Sequence, residues 1–119
     1  MATRTARRRK KKSIKLERAR VHIHSTFNNT ILTLTDLDGN VITWKSPGTE
    51  GYTGSRKGTP YAAQVACQAL IKEMREYGIK SVIVTVNGAG PGRQAVIQTL
   101  RSSGIQVEEV KNVTPTPHS

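Results

Sequence analysis

The sequence predicts one α/β domain: a mixed β-sheet that begins as an antiparallel meander, with helices packed on it and a disordered basic tail in front. Three observations carry this reading. Residues 20–45 alternate at the strand period around an Asp-Gly turn. Thr59-Pro60 opens a long stretch of helical period. The positive charge is gathered at one end of a chain of 119 residues, a length that suits a single domain. The predicted organisation is a basic tail over residues 1–19 and a folded domain over residues 20–119.

The elements follow in chain order. Arg7-Arg8-Arg9-Lys10-Lys11-Lys12 repels itself and has nothing to bury, so the tail is expected to be disordered alone. Val21, Ile23, Ser25 and Phe27 alternate with His22, His24 and Thr26, which is the strand period. Asn28-Asn29 interrupts this strand. Both residues tolerate positive φ, which predicts a tight turn. Thr30 to Thr35 is β-branched and strand-like. Asp38-Gly39 turns the chain, and Val41 to Trp44 returns it. Residues 46–58 are punctuated by Pro47, Gly48, Gly51, Gly54 and Gly58. So long a loop is expected to be functional or ordered by a partner.

Thr59 is then an N-cap and Pro60 the first helical residue. Ala62, Val65, Ala66, Ala69, Leu70, Met74 and Tyr77 share one face, and Gly78 stops the helix. Ser81 to Val86 has few polar positions and is expected to be buried on both faces, as a central strand under helices would be. Asn87 to Arg93 is a Gly-rich turn. It feeds a second helix with Val96, Ile97 and Leu100 inward and Gly104 at its end. Ile105 to Val110 is the last strand.

Charge narrows the function. The formal charge is +11, and the first twenty residues hold ten of the nineteen bases with one acid. The partner is therefore a polyanion, and nucleic acid fits best. A membrane surface fits poorly, because no bulky apolar face accompanies the charge. No run of eighteen apolar residues is present, and no apolar core follows the N-terminal bases as in a secretory signal. An organelle targeting peptide shares the Arg-rich, acid-poor composition and is the second reading of the tail. The single cysteine, Cys67, makes no internal disulfide and reads as a structural thiol.

Three motifs compete for other chemistry. Gly88 and Gly90 begin a dinucleotide-type glycine pattern, but Arg93 stands at the third position; Glu108 lies where a ribose ligand would. His22 and His24 share a strand face, yet no spacing supplies a third metal ligand. Asp36-Leu37-Asp38-Gly39 begins like a calcium loop and fails at the glycine and glutamate positions. No nucleophile-elbow sequence is present. No cofactor, metal site or catalytic residue is expected. Two segments suit phosphate: Arg56-Lys57 before the first helix, and Gly92-Arg93 at the start of the second, where free amides meet a base. Aromatic residues are few and no exposed stacking platform is evident.

Several motifs in order resemble a known family. They are Ser25-Thr26-Phe27-Asn28-Asn29-Thr30-Ile31, Asp38-Gly39-Asn40 with Trp44, Gly54 through Gln64, Gly88-Ala89-Gly90-Pro91-Gly92-Arg93 and Val113 through His118. The chain is similar over residues 20–118 to the eleventh protein of the small ribosomal subunit, of bacterial or organellar type. The resemblance implies a compact, ribonuclease-H-like layered sheet without catalytic residues. It also implies a seat on the subunit platform, bridging ribosomal RNA helices and helping to line the cleft for the messenger and anti-messenger duplex. The seventh and eighteenth small-subunit proteins are the implied neighbours, and no homo-oligomer is expected. RNA contacts carried over by position are Asn28, Asn29, Arg56, Lys57, Gly92 and Arg93. Arg4, Arg7, Arg8, Arg9, Lys10, Lys11, Lys12, Lys15 and Arg18 are assigned by basic character alone. Ala89 stands where the family commonly has proline, and C-terminal contacts are not carried over. The expected location is the cytoplasmic ribosome, with an organellar ribosome as the other option. The rival function is a free-standing RNA- or DNA-binding module.

Overall fold

A computed structural model of the chain describes residues 15–113. The predicted tail up to residue 14, and the motif residues after Val113, lie outside the described residues. Five strands form one mixed sheet in the order β3-β2-β1-β4-β5. They are β1 (Arg18–Ser25), β2 (Thr30–Thr35), β3 (Val41–Lys45), β4 (Ser81–Asn87) and β5 (Gln106–Asn112). The helices are α1 (Pro60–Tyr77) and α2 (Gly92–Ser102). β1 pairs antiparallel with β2 and parallel with β4, so the first strand among the described residues lies at the centre of the sheet. The predicted meander and mixed sheet are both present.

Strand parity builds the core. Ala19, Val21 and Ile23 of β1 align with Val82, Val84 and Val86 of β4. Val21 and Ile23 face Leu34 and Leu32 across β2. All eight are buried on one face, under Ala63, Ala66, Cys67, Leu70 and Met74 of α1 and Val96 and Leu100 of α2. Truncating a side chain such as Leu70 to alanine there costs about 2–5 kcal/mol. Cys67 belongs to this core; its Sγ donates to the Val96 carbonyl at 3.7 Å, and burial pushes the thiol up to about 12. That environment suits an inert structural thiol.

Both helices thus share one side, which corrects the expectation that β4 is buried twice over. Ile83 and Thr85 on its other face are only half-buried. That face continues into His22, which is half-buried, and His24, which is exposed. Burial, and then neighbouring Arg20, push the His22 pKa down. A shallow hollow of about 190 Å³ opens there, lined by His22, His24, Thr33, Thr85, Asn87 and Val113.

Local chemistry sets the boundaries. Thr59 Oγ1 accepts from the Ala62 amide at 3.1 Å, capping α1 with Pro60 behind it. Gly78 ends α1 at φ 79°, as expected of a C-terminal glycine. Gly39 turns the β2–β3 hairpin at φ 96°. Asp36 organises that turn by accepting from the amides of Asp38 and Asn40, both at 2.9 Å.

β1 starts at Arg18, earlier than residue 20, because the Glu17 carbonyl is held by the amides of Lys80 and Ser81. β1 also ends at Ser25 rather than running on to Phe27. β5 spans Gln106–Asn112 rather than Ile105 to Val110, and its pairing with β4 changes register between Val82 and Ile83. Residues 46–58 are not structureless. They hold two single 3-10 turns, Pro47–Glu50 and Gly54–Gly58. Thr49 Oγ1 stabilises the first, donating to the Ser46 carbonyl at 2.7 Å and accepting from the Ser46 amide at 3.1 Å.

The β1–β5 end of the sheet is tied by charge. Arg18 grips the Glu108 carboxylate with two bonds of 2.8 and 2.9 Å, and Ser81 Oγ donates to the same carboxylate at 2.6 Å. The Arg18 bond first, then that of Ser81, hold Glu108 down at about 2 against an ordinary 4.5. Its contribution is therefore complete above pH ~4.5 and fades as the pH falls towards 2. We expect Glu108→Gln to lower stability at neutral pH, with the gap to wild type closing between about pH 5 and about pH 2. Denaturant titrations across that range measure it; a gap independent of pH would show that Glu108 acts through packing.

Candidate nucleic-acid interface

The predicted contact residues lie far apart in sequence, and the fold brings three of their segments to one end of the sheet. The segments are the β1–β2 tip, the second 3-10 turn with Thr59, and the turn from Gly88 into α2. What joins them is backbone approach. A Cβ on Gly58 would stand 1.8 Å from the Phe27 carbonyl oxygen. On Gly88 it would meet the Ser25 oxygen at 2.1 Å, and on Gly90 the Thr26 oxygen at 2.3 Å. On Gly92 it would strike Thr30 Oγ1 at 2.3 Å and the Ala63 Cβ at 2.8 Å. Two loops therefore close on the hairpin only because these positions carry no side chain. The Gly90 amide adds a 3.0 Å bond to the Ser25 carbonyl. Beneath the tip the hydroxyls of Ser25 and Thr30 lie 3.2 Å apart, both fully buried.

The tip itself is a four-residue turn closed by the Thr26 amide on the Asn29 carbonyl at 2.8 Å. Asn29 Oδ1 accepts from the Thr30 amide at 2.9 Å, and the Asn28 amide donates to Thr26 Oγ1 at 3.3 Å. The expectation of positive φ at the asparagines is not met: among the described residues only glycines adopt it. Side-chain and hydroxyl bonds shape this turn instead. Asn28 is exposed and Asn29 half-buried.

Arg56 is exposed, whereas Lys57 and Arg93 are half-buried. Gly92 is buried against Thr30 and Ala63, so it serves packing as well as the approach to α2. Pro91 caps α2 without a side-chain bond, leaving the first α2 amides without a side-chain cap. No acidic residue occurs in 25–30, 54–59 or 88–93. Beside this edge, Glu50, Tyr52, Thr53 and Arg56 line an open groove of about 280 Å³. Tyr52 and Tyr61 meet edge to face there, their centroids 6.4 Å apart.

Two predicted contacts lie apart from this cluster. Arg18 is committed to Glu108 at the opposite end of β1. Lys15, near it in sequence, is exposed. The seven bases from Arg4 to Lys12 lie outside the described residues. The sequence reading also missed Phe27, which is 89% exposed, and Tyr61, which is 64% exposed. Phe27 escaped notice because strand alternation assigns it to the core face. The Asn-Asn pair just after it was the available warning that the strand had already ended.

An acid-free basic edge on a rigid two-layer α/β body is the design of a protein that binds a polyanion. The ribosomal protein S11 family matches residues 19–119. The small ribosomal subunit protein uS11 of Kosmotoga olearia is 50% identical over 116 residues, covering 98% of this chain and 89% of the relative. The uS11 of Thermotoga maritima is 52% identical over 109 residues, covering 92% of this chain and 84% of the relative. The chain belongs to the ribosomal protein S11 family. It is a structural, non-enzymatic protein of the small ribosomal subunit, and ribosomal RNA binding and a role in translation follow from that membership.

The glycine contacts set a sharp stability test. Gly48 has only ordinary neighbours, the nearest at 3.6 Å, and no positive φ, whereas Gly58 has none of that room. Gly48→Ala should shift stability by less than about 1 kcal/mol. Gly58→Ala should cost at least about 1–3 kcal/mol, the range for overpacking. Urea midpoints for the two variants check this; similar midpoints would mean that the Gly58 loop yields freely.

Proposed function

We propose that the glycine-closed edge is the principal ribosomal RNA contact of the folded domain, with Asn28, Asn29, Arg56, Lys57, Gly92 and Arg93 as its contact residues. The single observation that carries this is the convergence of three acid-free segments at one sheet end. Arg56 and Lys57 supply charge to phosphate, and Arg93 does so beside the α2 amides. Asn28 and Asn29 offer amides to sugar or base edges. Aromatic residues are few, so recognition rests mainly on phosphate, sugar and shape, as folded RNA requires.

In this reading the domain sits on the platform of the small subunit. It bridges RNA helices there, helps to form the messenger (Shine-Dalgarno) cleft, and has the seventh and eighteenth small-subunit proteins as neighbours. The similarity to uS11 proteins supports a place in the subunit. The basic residues from Arg4 to Lys12 and exposed Lys15 extend the electrostatic reach of that surface. Arg18 contributes less than its charge suggests, because Glu108 neutralises it locally.

Filter binding to a transcript of the small-subunit ribosomal RNA, repeated across salt concentrations, tests the assignment. Arg56→Ala, Lys57→Ala and Arg93→Ala should each weaken binding and lower the salt slope by ~0.7–0.9 per lost phosphate contact. Arg56→Ala, at an exposed position, should leave stability within about 0.5 kcal/mol. If Arg93→Ala unfolds the domain and affinity merely tracks the folded fraction, Arg93 is structural. Deleting residues 1–14 should flatten the slope further while the melting temperature holds. An unchanged slope would remove the tail from the interface.

A further inference from the structure

We propose that Phe27 is a base-stacking residue: its ring packs against an unpaired nucleobase of the bound RNA. This deepens the RNA reading of the same edge and rests on it. Phe27 is 89% exposed, more than any other large hydrophobic side chain among the described residues. A phenyl ring gains by leaving water, so a ligand that covers this ring is favoured by the area it buries.

The position is also held firmly. The Phe27 carbonyl abuts Gly58 so closely that a Cβ there would reach it, and the turn is closed by the bond from the Thr26 amide to the Asn29 carbonyl. The main chain is thus fixed from two sides while the ring makes no use of the interior. A rigid backbone under a free aromatic ring lowers the ordering cost of stacking.

The surroundings decide the occupant. Phe27 is followed by Asn28 and Asn29, and its carbonyl touches the residue that follows Arg56-Lys57. An apolar pocket of a protein partner would ask for further apolar residues around the ring. In the three converging segments Phe27 is the one large apolar side chain, and the others are amides, hydroxyls, bases and small residues with no acid. Phosphates on either side of a splayed base would meet those bases, and the base itself would meet the ring. Phe27 therefore adds a preference for an unpaired nucleotide to a surface that otherwise reads charge and shape.

The test uses the full chain and a transcript of the small-subunit ribosomal RNA. Phe27→Ala should melt as wild type does, since the side chain is almost wholly exposed, and should bind about 5- to 150-fold more weakly. The salt slope should not change, because no phosphate contact is lost. Phe27→Tyr and Phe27→Trp should retain affinity, and RNA should quench the added tryptophan beyond the quenching seen for Trp44 in wild type. Phe27→Leu should bind as weakly as Phe27→Ala. Wild-type affinity for Phe27→Leu would point to an apolar pocket and overturn stacking. Wild-type affinity for Phe27→Ala, with Arg56→Ala still impaired, would overturn stacking and leave the RNA interface standing. Wild-type affinity for both Phe27→Ala and Arg56→Ala would overturn the interface and stacking together.

Discussion

The contact between glycine backbones and the β1–β2 tip is the constraint on which the rest of this edge depends. Four glycines occupy places where a Cβ would lie between 1.8 and 2.3 Å from an oxygen of residues 25–30. No rotamer relieves such a contact when the opposing atom is a backbone carbonyl. The spacing between loops is therefore fixed by backbone dimensions, to a tolerance that side-chain packing rarely reaches. It delivers Arg56, Lys57 and Arg93 to one place although Arg93 lies 37 positions after Arg56. It also explains the buried polar pair beneath. Ser25 and Thr30 have lost water to the closing loops and bond each other instead, which avoids the cost of an orphaned hydroxyl.

Charge is divided between architecture and surface. Lys45 of β3 meets Glu73 of α1 at 2.6 Å, with both side chains mostly buried, and pins the helix to the edge of the sheet. Removing one partner of such a pair costs more than the pair itself gains, because the other charge is stranded. Arg18 performs a wetter version of the same task with Glu108. These bases are internal fittings. Among the described residues, Arg56, Lys57 and Arg93 around the glycine contacts form no ion pair with an acid, and their charge is left for a partner. Net charge alone does not separate the two groups; position relative to acids does.

Much of the fold was legible because its signals are local. Thr59, Pro60 and Gly78 mark both ends of α1 within the span of a helical turn. Asp38-Gly39 marks the hairpin, and the alternation around Val21 and Ile23 marks the core face. What stayed hidden depends on pairs of distant segments. Nothing in Gly58 or Gly90 announces a partner some thirty or sixty residues earlier. The half-exposed outer face of β4 was misjudged because Ile83 is apolar, whereas the placement of both helices on one side is a property of the whole chain. The site residues were found through motif resemblance and local charge. Their convergence, and the display of Phe27, came only with the third dimension.

The central position of β1 has a consequence for how the molecule is made. The strand that emerges first from the synthesising ribosome is bonded on one side by β2, which follows at once, and on the other by β4. Between Ser25 and Ser81 the nascent chain must lengthen by most of the domain, which takes roughly 3–11 s at about 5–20 residues per second. Throughout that interval the β4-facing edge of β1 is open to any other extended chain. His22, His24 and Arg20 on the uncovered face give the growing hairpin a polar side that discourages such pairing. A protein destined for ribosomes thus meets its first hazard while still leaving one.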